Sequence, residues 1–295
     1  MTTEITSFTL NTGAQMPSLG LGTWQSPLDE VAHAVKTALL TGYRAIDTAS
    51  AYHNEEGVGR GIRDSGIPRS EIFLTTKLNV SDTHRAAEAL DEQLARLGTD
   101  YLDLYLVHWP VCVDPTDAKK ALDGWDYVKT WLSMQDLLAT GKVRAIGVSN
   151  FQIYHLEKLF AHPDFKVVPA VNQLELHPYN PSPKLVAFCK EKGIHLTAYA
   201  PIGGAGSTLL KDPVVAELAE KYGKTPAQVL LRWGIQKGYD VIPKSVSETR
   251  IRENWGALGW SLEEGDVERL SKVETRQKVY RDHWLPERVF VGDDE

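Results

Sequence analysis

Four side chains in this sequence carry groups that exchange or hold protons, and each stands where an apolar run stops. Asp47 closes RAID at 44–47, Lys77 closes IFLTTK at 72–77, His108 follows LDLYLV at 102–107, and Tyr52 comes shortly after Asp47. A lysine at the end of an apolar and threonine strand needs a carboxylate partner or loses its charge on burial, and Asp47 is the natural one. A charged lysine beside a phenol favours phenolate, so it is expected to lower the tyrosine pKa from about 10 and make Tyr52 a general acid. His108 shares parity with Leu102, Leu104 and Leu106, which places it at the top of one strand face as a second hydrogen-bond donor. Each has a plainer reading alone: Asp47 caps a turn, Tyr52 covers a core edge, His108 is structural and Lys77 is half of a salt bridge. Packing alone gives no reason for acid, phenol, amine and imidazole to converge, so the question becomes what fold would bring them together.

The spacing predicts short strands at 19–22, 45–47, 72–77, 101–108, 143–148, 170–173, 195–200 and 239–243. Between them, apolar residues recur at helical spacing over 28–40, from about 55, and over 85–97, 127–138, 183–192, 212–222 and 225–236, several ending at glycine. Asn54 followed by Glu55 and Glu56 reads as an N-terminal cap opening the second helix. Alternating strands and helices imply right-handed crossovers and a parallel sheet. Eight such units favour a closed (β/α)8 TIM barrel, an α/β fold, in which Asp47, Tyr52, Lys77 and His108 face one another across the carboxyl end of the strands. That rim is where loops carry chemistry.

No linker or low-complexity tract divides the 295 residues, so the reading is a single barrel domain over 1–295, with an additional helix and tail over 260–295. A hairpin at 8–16, turned at Asn11-Thr12-Gly13, is expected to close one end. Two segments break the rhythm. The loop at 111–126 after the fourth strand is too long for an ordinary βα connection and is expected to cover the barrel mouth. The tail opens with a Ser-x-x-Glu helix start at Ser261, and its Trp284, Leu285 and Phe290 need burial, so it is expected to fold back over the same mouth.

A formal charge of −7 without a basic block offers no phosphate-neutralising surface, which argues against nucleic acid as a partner. Cys112 and Cys189 are too few for a disulfide framework and lack metal-ligand spacing; they read as packing residues in a reducing compartment, with no metal. The first ten residues lack the features of a signal peptide and no apolar run reaches membrane-spanning length, so the expectation is a cytoplasmic protein without membrane contact. Nothing in the sequence demands more than a monomer.

The chain resembles the aldo-keto reductases. The motifs are GLGTW at 20–24, DTASAYHNEEGVG at 47–59, LTTKL at 74–78, DLYLVHWP at 103–110, GKVRAIGVSNF at 141–151, NQLELHP at 172–178, AYAPIG at 198–203 and IPKS at 242–245, followed by ETRIREN at 248–254. They span nearly the whole chain in order. The resemblance implies the barrel independently, and implies NADPH-dependent reduction of aldehydes or ketones, with reversible alcohol oxidation. It also matches Asp47, Tyr52, Lys77 and His108 to the family's catalytic tetrad.

A strand followed by G-x-G-x-x-G is absent: GVGRGI at 57–62 and GGAGST at 203–208 both fail the pattern. A nicotinamide can instead lie across the strand ends, with Tyr199 as its stacking face and Ser149, Asn150 and Gln173 meeting its carboxamide, as matching residues do in the family. Lys244 and Arg250 suit a phosphate dianion on the adenosine ribose, the group that separates NADP from NAD; without the motif they would read as a solvated surface pair. Ser245, Glu253 and Asn254 are similar to the family's adenosine contacts, and Gly22, Thr23, Asp47, Pro201, Ile202, Gly203 and Val246 complete the implied cofactor site.

The chemistry expected is hydride transfer to a carbonyl carbon, with the oxygen held by Tyr52 and His108, Tyr52 donating the proton, and Lys77 with Asp47 tuning it. Trp24, Trp109 and Trp284 would wall the substrate pocket, favouring apolar or flat carbonyl compounds and leaving small sugars compatible. A different class of reading is an NADP-binding regulatory or scaffold subunit with little turnover; an intact proton donor weighs against it. A barrel hydrolase or isomerase lacks a supporting Ser/His/Asp or metal-ligand cluster.

Overall fold

Strands of two to six residues alternate with helices through residues 6–291, the part of the chain that this computed structural model describes. The chain opens with the hairpin β1 (Ser7–Thr9) and β2 (Gln15–Pro17), turned at Gly13 in the left-handed region. Next come β3 (Leu21–Gly22), α1 (Leu28–Thr41), β4 (Ala45–Asp47), α2 (Glu55–Ser65), β5 (Phe73–Leu78), α3 (Ala86–Leu97) and β6 (Leu104–Val107). A second hairpin, β7 (Val113–Asp114) and β8 (Asp117–Ala121), precedes α4 (Tyr127–Leu137), β9 (Ile146–Ser149), α5 (Ile153–Phe160), β10 (Val171–Glu175), α6 (Pro183–Glu191) and β11 (His195–Tyr199). The series ends with α7 (Pro213–Tyr222), α8 (Pro226–Gln236), β12 (Asp240–Ile242), α9 (Glu248–Trp255) and α10 (Glu264–Ser271).

Eight strands pair in parallel in the order β3-β4-β5-β6-β9-β10-β11-β12. The ring closes where Gly20 donates to the Val241 carbonyl at 2.9 Å and Val241 donates to the Ser18 carbonyl at 3.0 Å. Gly22 permits this closure, because a Cβ there would lie 2.8 Å from the Ile242 carbonyl oxygen. Strand parity divides the apolar residues. Leu104 and Leu106 point into the barrel with Ala45, Phe73, Ala145 and Val171, where Leu10 and Met16 of the first hairpin plug the floor. Tyr105 and Val107 point outward into the larger core beneath the helices.

The α2 glycines that failed as a dinucleotide fingerprint have a packing role. A Cβ at Gly57, Gly59 or Gly61 would stand 2.2 to 2.5 Å from the carbonyls of Leu28, Leu97 and Ala32, so α2 lies against α1 and α3 at backbone distance. That close approach fixes the helix following the Asp47 and Tyr52 loop.

Several expectations need correction. Asn54 precedes α2, but its side chain makes no cap bond; it donates to the carbonyls of Thr23 and Ser26 and accepts from Thr48, tying two rim loops together. The third strand runs one residue past Lys77, to Leu78, and the fourth stops at Val107, just short of His108. α5 was not foreseen, because eight residues present too few apolar repeats to stand out. The last helix begins at Glu264, and Ser261 instead accepts from Arg232 through its hydroxyl. The 111–126 loop folds into the β7-β8 hairpin and contributes no wall to the barrel-mouth cavity. Val111 and Val113 pack instead beneath the tail, against Leu285 and Val289. The tail does fold over the mouth, but Trp284 stays 51% exposed because it sits on the lip. The targeting reading of the first ten residues rests partly on residues 1–5, and the tail ends in residues 292–295; both lie outside the described residues. Among the described residues, no helix is long and apolar enough to cross a membrane.

Candidate active site

β4 and β5 are neighbours, with Asp47 paired to Thr75, so the next inward-facing residue of β5, Lys77, comes to lie beside the end of β4. Its Nζ stands 2.6 Å from Asp47 Oδ1, 2.8 Å from the Thr48 carbonyl and 3.2 Å from the Tyr52 hydroxyl. Tyr52 reaches it from a short 3-10 turn, Ser50–Tyr52, that ends at His53 in the left-handed region. The His108 ring meets the Tyr52 ring edge-on at 5.8 Å between centroids. All four predicted proton-handling residues therefore gather at one rim.

Their protonation follows from burial and neighbours. Burial pushes the Lys77 pKa down, but Asp47 and Tyr52 more than offset it and hold it above the ordinary value. For Tyr52 the sequence expectation fails. Although the residue as a whole is half-buried, its phenol is enclosed, and burial pushes its pKa above 10. The Lys77 ammonium pulls the other way without cancelling that rise. Burial, reinforced by Lys77, drives His108 well below 6.5. The rim thus holds a protonated phenol, an ammonium and a neutral imidazole.

Asp47, Tyr52 and His108 line a cavity of about 680 Å³ at the carboxyl end of the strands, with Lys77 buried behind them. The cavity walls include Trp24, Tyr52, His108, Trp109 and Trp284, all of the predicted substrate contacts. They also include Gly22, Thr23, Asp47, Ser149, Asn150, Gln173, Tyr199, Pro201, Ile202, Gly203 and Lys244 from the predicted cofactor set. Ser245, Val246, Arg250, Glu253 and Asn254 stand outside the cavity, on the segment after β12 and on α9. Lys244 and Arg250 are exposed, and neither is in an ion pair among the described residues. Ser247 caps α9 by accepting from Arg250 N–H, and Glu248 in its first turn is neutralised by Arg252 at 2.8 Å, which leaves the cations available to an anion.

The polar wall is wired internally. Tyr199 donates to Asn150 Oδ1 at 2.8 Å, while Asn150 Nδ2 bridges the His108 carbonyl and the Ser149 hydroxyl. Ser149 donates to the Gln173 carbonyl. Asn150 itself takes a positive φ of 65°, a conformation that asparagine tolerates better than most residues and that aims its amide at these partners.

Sequence reasoning missed the wall contributed by Tyr280 and Arg281, and by Asn79 and Val80 after β5. Tyr280 meets Trp24 at 5.1 Å and Tyr199 at 5.7 Å, both edge-on. An aromatic in a tail already expected over the mouth was the available signal. Among the described residues no cluster of His, Cys, Asp or Glu is placed to hold a metal ion.

A sequence model of the aldo/keto reductase family matches residues 18–275. The chain is similar to glycerol 2-dehydrogenase (NADP(+)) of Saccharomyces cerevisiae, at 46% identity over 298 residues that cover 95% of this chain and 96% of the relative. It is similar to an aldehyde reductase of the same organism, at 46% identity over 303 residues with the same coverage. Among solved structures, the aldose reductase from Schistosoma japonicum superposes with a TM-score of 0.88 at 36% identity, covering 95% of each chain.

Proposed function

The chain belongs to the aldo/keto reductase family and is an oxidoreductase that reduces carbonyl groups, and from that premise we propose that NADPH is its reductant and that Tyr52 protonates the nascent alkoxide. The observation that carries the assignment is the 3.2 Å contact between the hydroxyl of Tyr52, on the cavity wall, and the Nζ of the buried Lys77 behind it, beside a neutral His108.

The residues present fit the cofactor. Lys244, after β12, and Arg250, in α9, offer a ribose phosphate two exposed cations that are in no ion pair among the described residues, and a relative is named for NADP(+). Tyr199 and Gln173 offer an aromatic face and an amide on the cavity wall. Bound there, the nicotinamide supplies a hydride to the carbonyl carbon.

The protein's own groups manage the oxygen. Tyr52 and His108 each offer it a hydrogen bond, which strengthens as negative charge develops. Burial keeps Tyr52 protonated until an alkoxide, a stronger base than phenolate, draws its proton away. Lys77 then faces a phenolate it stabilises, and Asp47 keeps that lysine charged. Trp24, Trp109 and Trp284 form an apolar lip suited to aldehydes and ketones with flat or apolar substituents.

The test is an NADPH-consumption screen across aldehydes, ketones, keto acids and sugars, run with the native chain and Tyr52→Phe. The variant should bind NADPH normally, read by nucleotide fluorescence, while turnover falls by about 10²- to 10⁴-fold. Full turnover in Tyr52→Phe refutes the assigned acid. Replacing Lys244 and Arg250 by alanine should raise the KM for NADPH and leave that for NADH nearly unchanged.

A further inference from the structure

Glu175 ends β10 two residues after Gln173, on the same inward strand face, yet it has no place in the proton chemistry just described. Its side chain is fully buried and its carboxylate is engaged at both oxygens. Val279 N–H donates to Oε1 at 2.7 Å, Tyr280 N–H donates to Oε2 at 2.9 Å, and His177 Nε2 lies 3.0 Å from Oε1. Gln277 N–H adds a bond to the Tyr179 carbonyl. A strand end therefore grips the backbone of a segment 104 residues further along the chain.

That segment delivers Tyr280 into the cavity. Its ring stands between Trp24, on the substrate lip, and Tyr199, on the nicotinamide side. Its hydroxyl occupies the space a side chain at Gly204 would need, since a Cβ there would come within 2.6 Å. Tyr280 has no ladder or helix of its own to hold it, because residues 273–291 contain no regular element. Two bonds from backbone N–H groups to a buried carboxylate tie Val279 and Tyr280 directly to the barrel.

We propose that Glu175 is a positioning residue that latches Tyr280 into the cavity wall and thereby sets the preference for carbonyl compounds whose substituents reach that wall. The proposal rests on the reductase reading of the cavity given above. Releasing the latch frees Tyr280 without touching Asp47, Tyr52, Lys77 or His108. Small substrates, which end short of Tyr280, are then handled as before, and larger flat ones lose a packing surface.

The test compares the native chain with Glu175→Gln, which keeps shape but turns one acceptor into a donor facing a backbone N–H. With propanal, kcat and KM should change less than about threefold; with benzaldehyde, KM should rise about tenfold at nearly constant kcat, the scale of one lost charge-assisted bond. Hydrogen exchange of the Val279 and Tyr280 amides, which needs no turnover, should accelerate by about tenfold or more while β5 and β10 amides stay protected. Val279→Pro removes one of the two N–H donors and leaves the buried carboxylate intact, so if Glu175→Gln fails to fold it should reproduce the benzaldehyde effect and the faster exchange at the remaining Tyr280 amide. Unchanged exchange and an unchanged benzaldehyde KM in the folded variants overturn the latch. Absence of turnover in the native chain overturns the reductase reading instead, with the exchange result still deciding on the latch.

Discussion

The amide of Gln173 donates a 2.7 Å hydrogen bond to Asp47 Oδ2, joining two residues 126 positions apart in the chain. Lys77 takes the other oxygen at 2.6 Å, so the Asp47 carboxylate is held from both sides of the barrel mouth. Thr23 adds a bond to the Asp47 carbonyl at 2.9 Å. This geometry also fixes Gln173: with its nitrogen committed to Asp47, its carbonyl oxygen is the end left to meet a ligand's N–H.

Gln173→Leu should expose how much this bond matters. The substitution strands one oxygen of a buried carboxylate, and leaving such an acceptor unpaired costs about 1–3 kcal/mol, more when it is charged. Urea unfolding should show a loss of that size, accompanied by weaker nicotinamide binding. A variant as stable as the native chain would mean that Asp47 finds another donor.

Lys77→Met should be costly for a related reason. Lys77 has 0% and Asp47 6% side-chain exposure, and removing one partner of so buried a pair typically costs about 3–5 kcal/mol. Adding Asp47→Asn should recover part of the loss, because the orphaned charge goes with it. In a double-mutant cycle the coupling should reach about 0.5–3 kcal/mol, and a coupling near zero would show that solvent reaches the site.

The convergence of Asp47, Tyr52, Lys77 and His108 was legible because period-two strands with charged ends have few topologies to choose from, and a barrel places all its strand ends on one rim. What escaped the sequence reading depends on contacts between distant segments. Asn54 looks like a helix cap locally, yet its Nδ2 is turned to the carbonyls of Thr23 and Ser26 and its Oδ1, the atom a cap would use, accepts from the Thr48 hydroxyl. The hairpin at β7 and β8 carries Lys119 and Lys120 in a charged strand with no apolar alternation. The rise in the Tyr52 pKa also depends on distant contacts, since a nearby lysine is visible in sequence and the depth of enclosure is not.

Activity should be nearly flat with pH across the neutral range. Reduction uses Tyr52 in its protonated form, and burial holds its pKa above 10, so loss of activity belongs above pH 10. His108 lies well below 6.5 and stays neutral, so no inflection belongs near 6.5. A kcat/KM profile with an aldehyde checks both limbs. Lys77→Met removes the group that pulls the Tyr52 pKa down, so whatever activity remains should persist to still higher pH.

Stability, unlike activity, should fall through mildly acid pH, and His155 gives that fall a residue. Burial, with help from Lys158, lowers its pKa from 6.5 to about 3. The neutral ring is required locally, because Nδ1 accepts the Gln152 N–H at 3.0 Å at the start of α5, with the Tyr154 ring 3.9 Å away. Between pH 6.5 and about 3 the unfolded chain binds this proton and the folded chain does not. The contribution is therefore complete above pH 6.5 and lost as pH falls through that window, at about 1.4 kcal/mol per pH unit for one full proton. His155→Gln keeps an acceptor for Gln152 and removes the titration. Urea midpoints between pH 8 and pH 4 should fall less steeply in the variant, by up to one proton's worth, with His108 still contributing the remainder. Equal slopes in the two proteins would mean that His155 charges in the folded state at an ordinary pH.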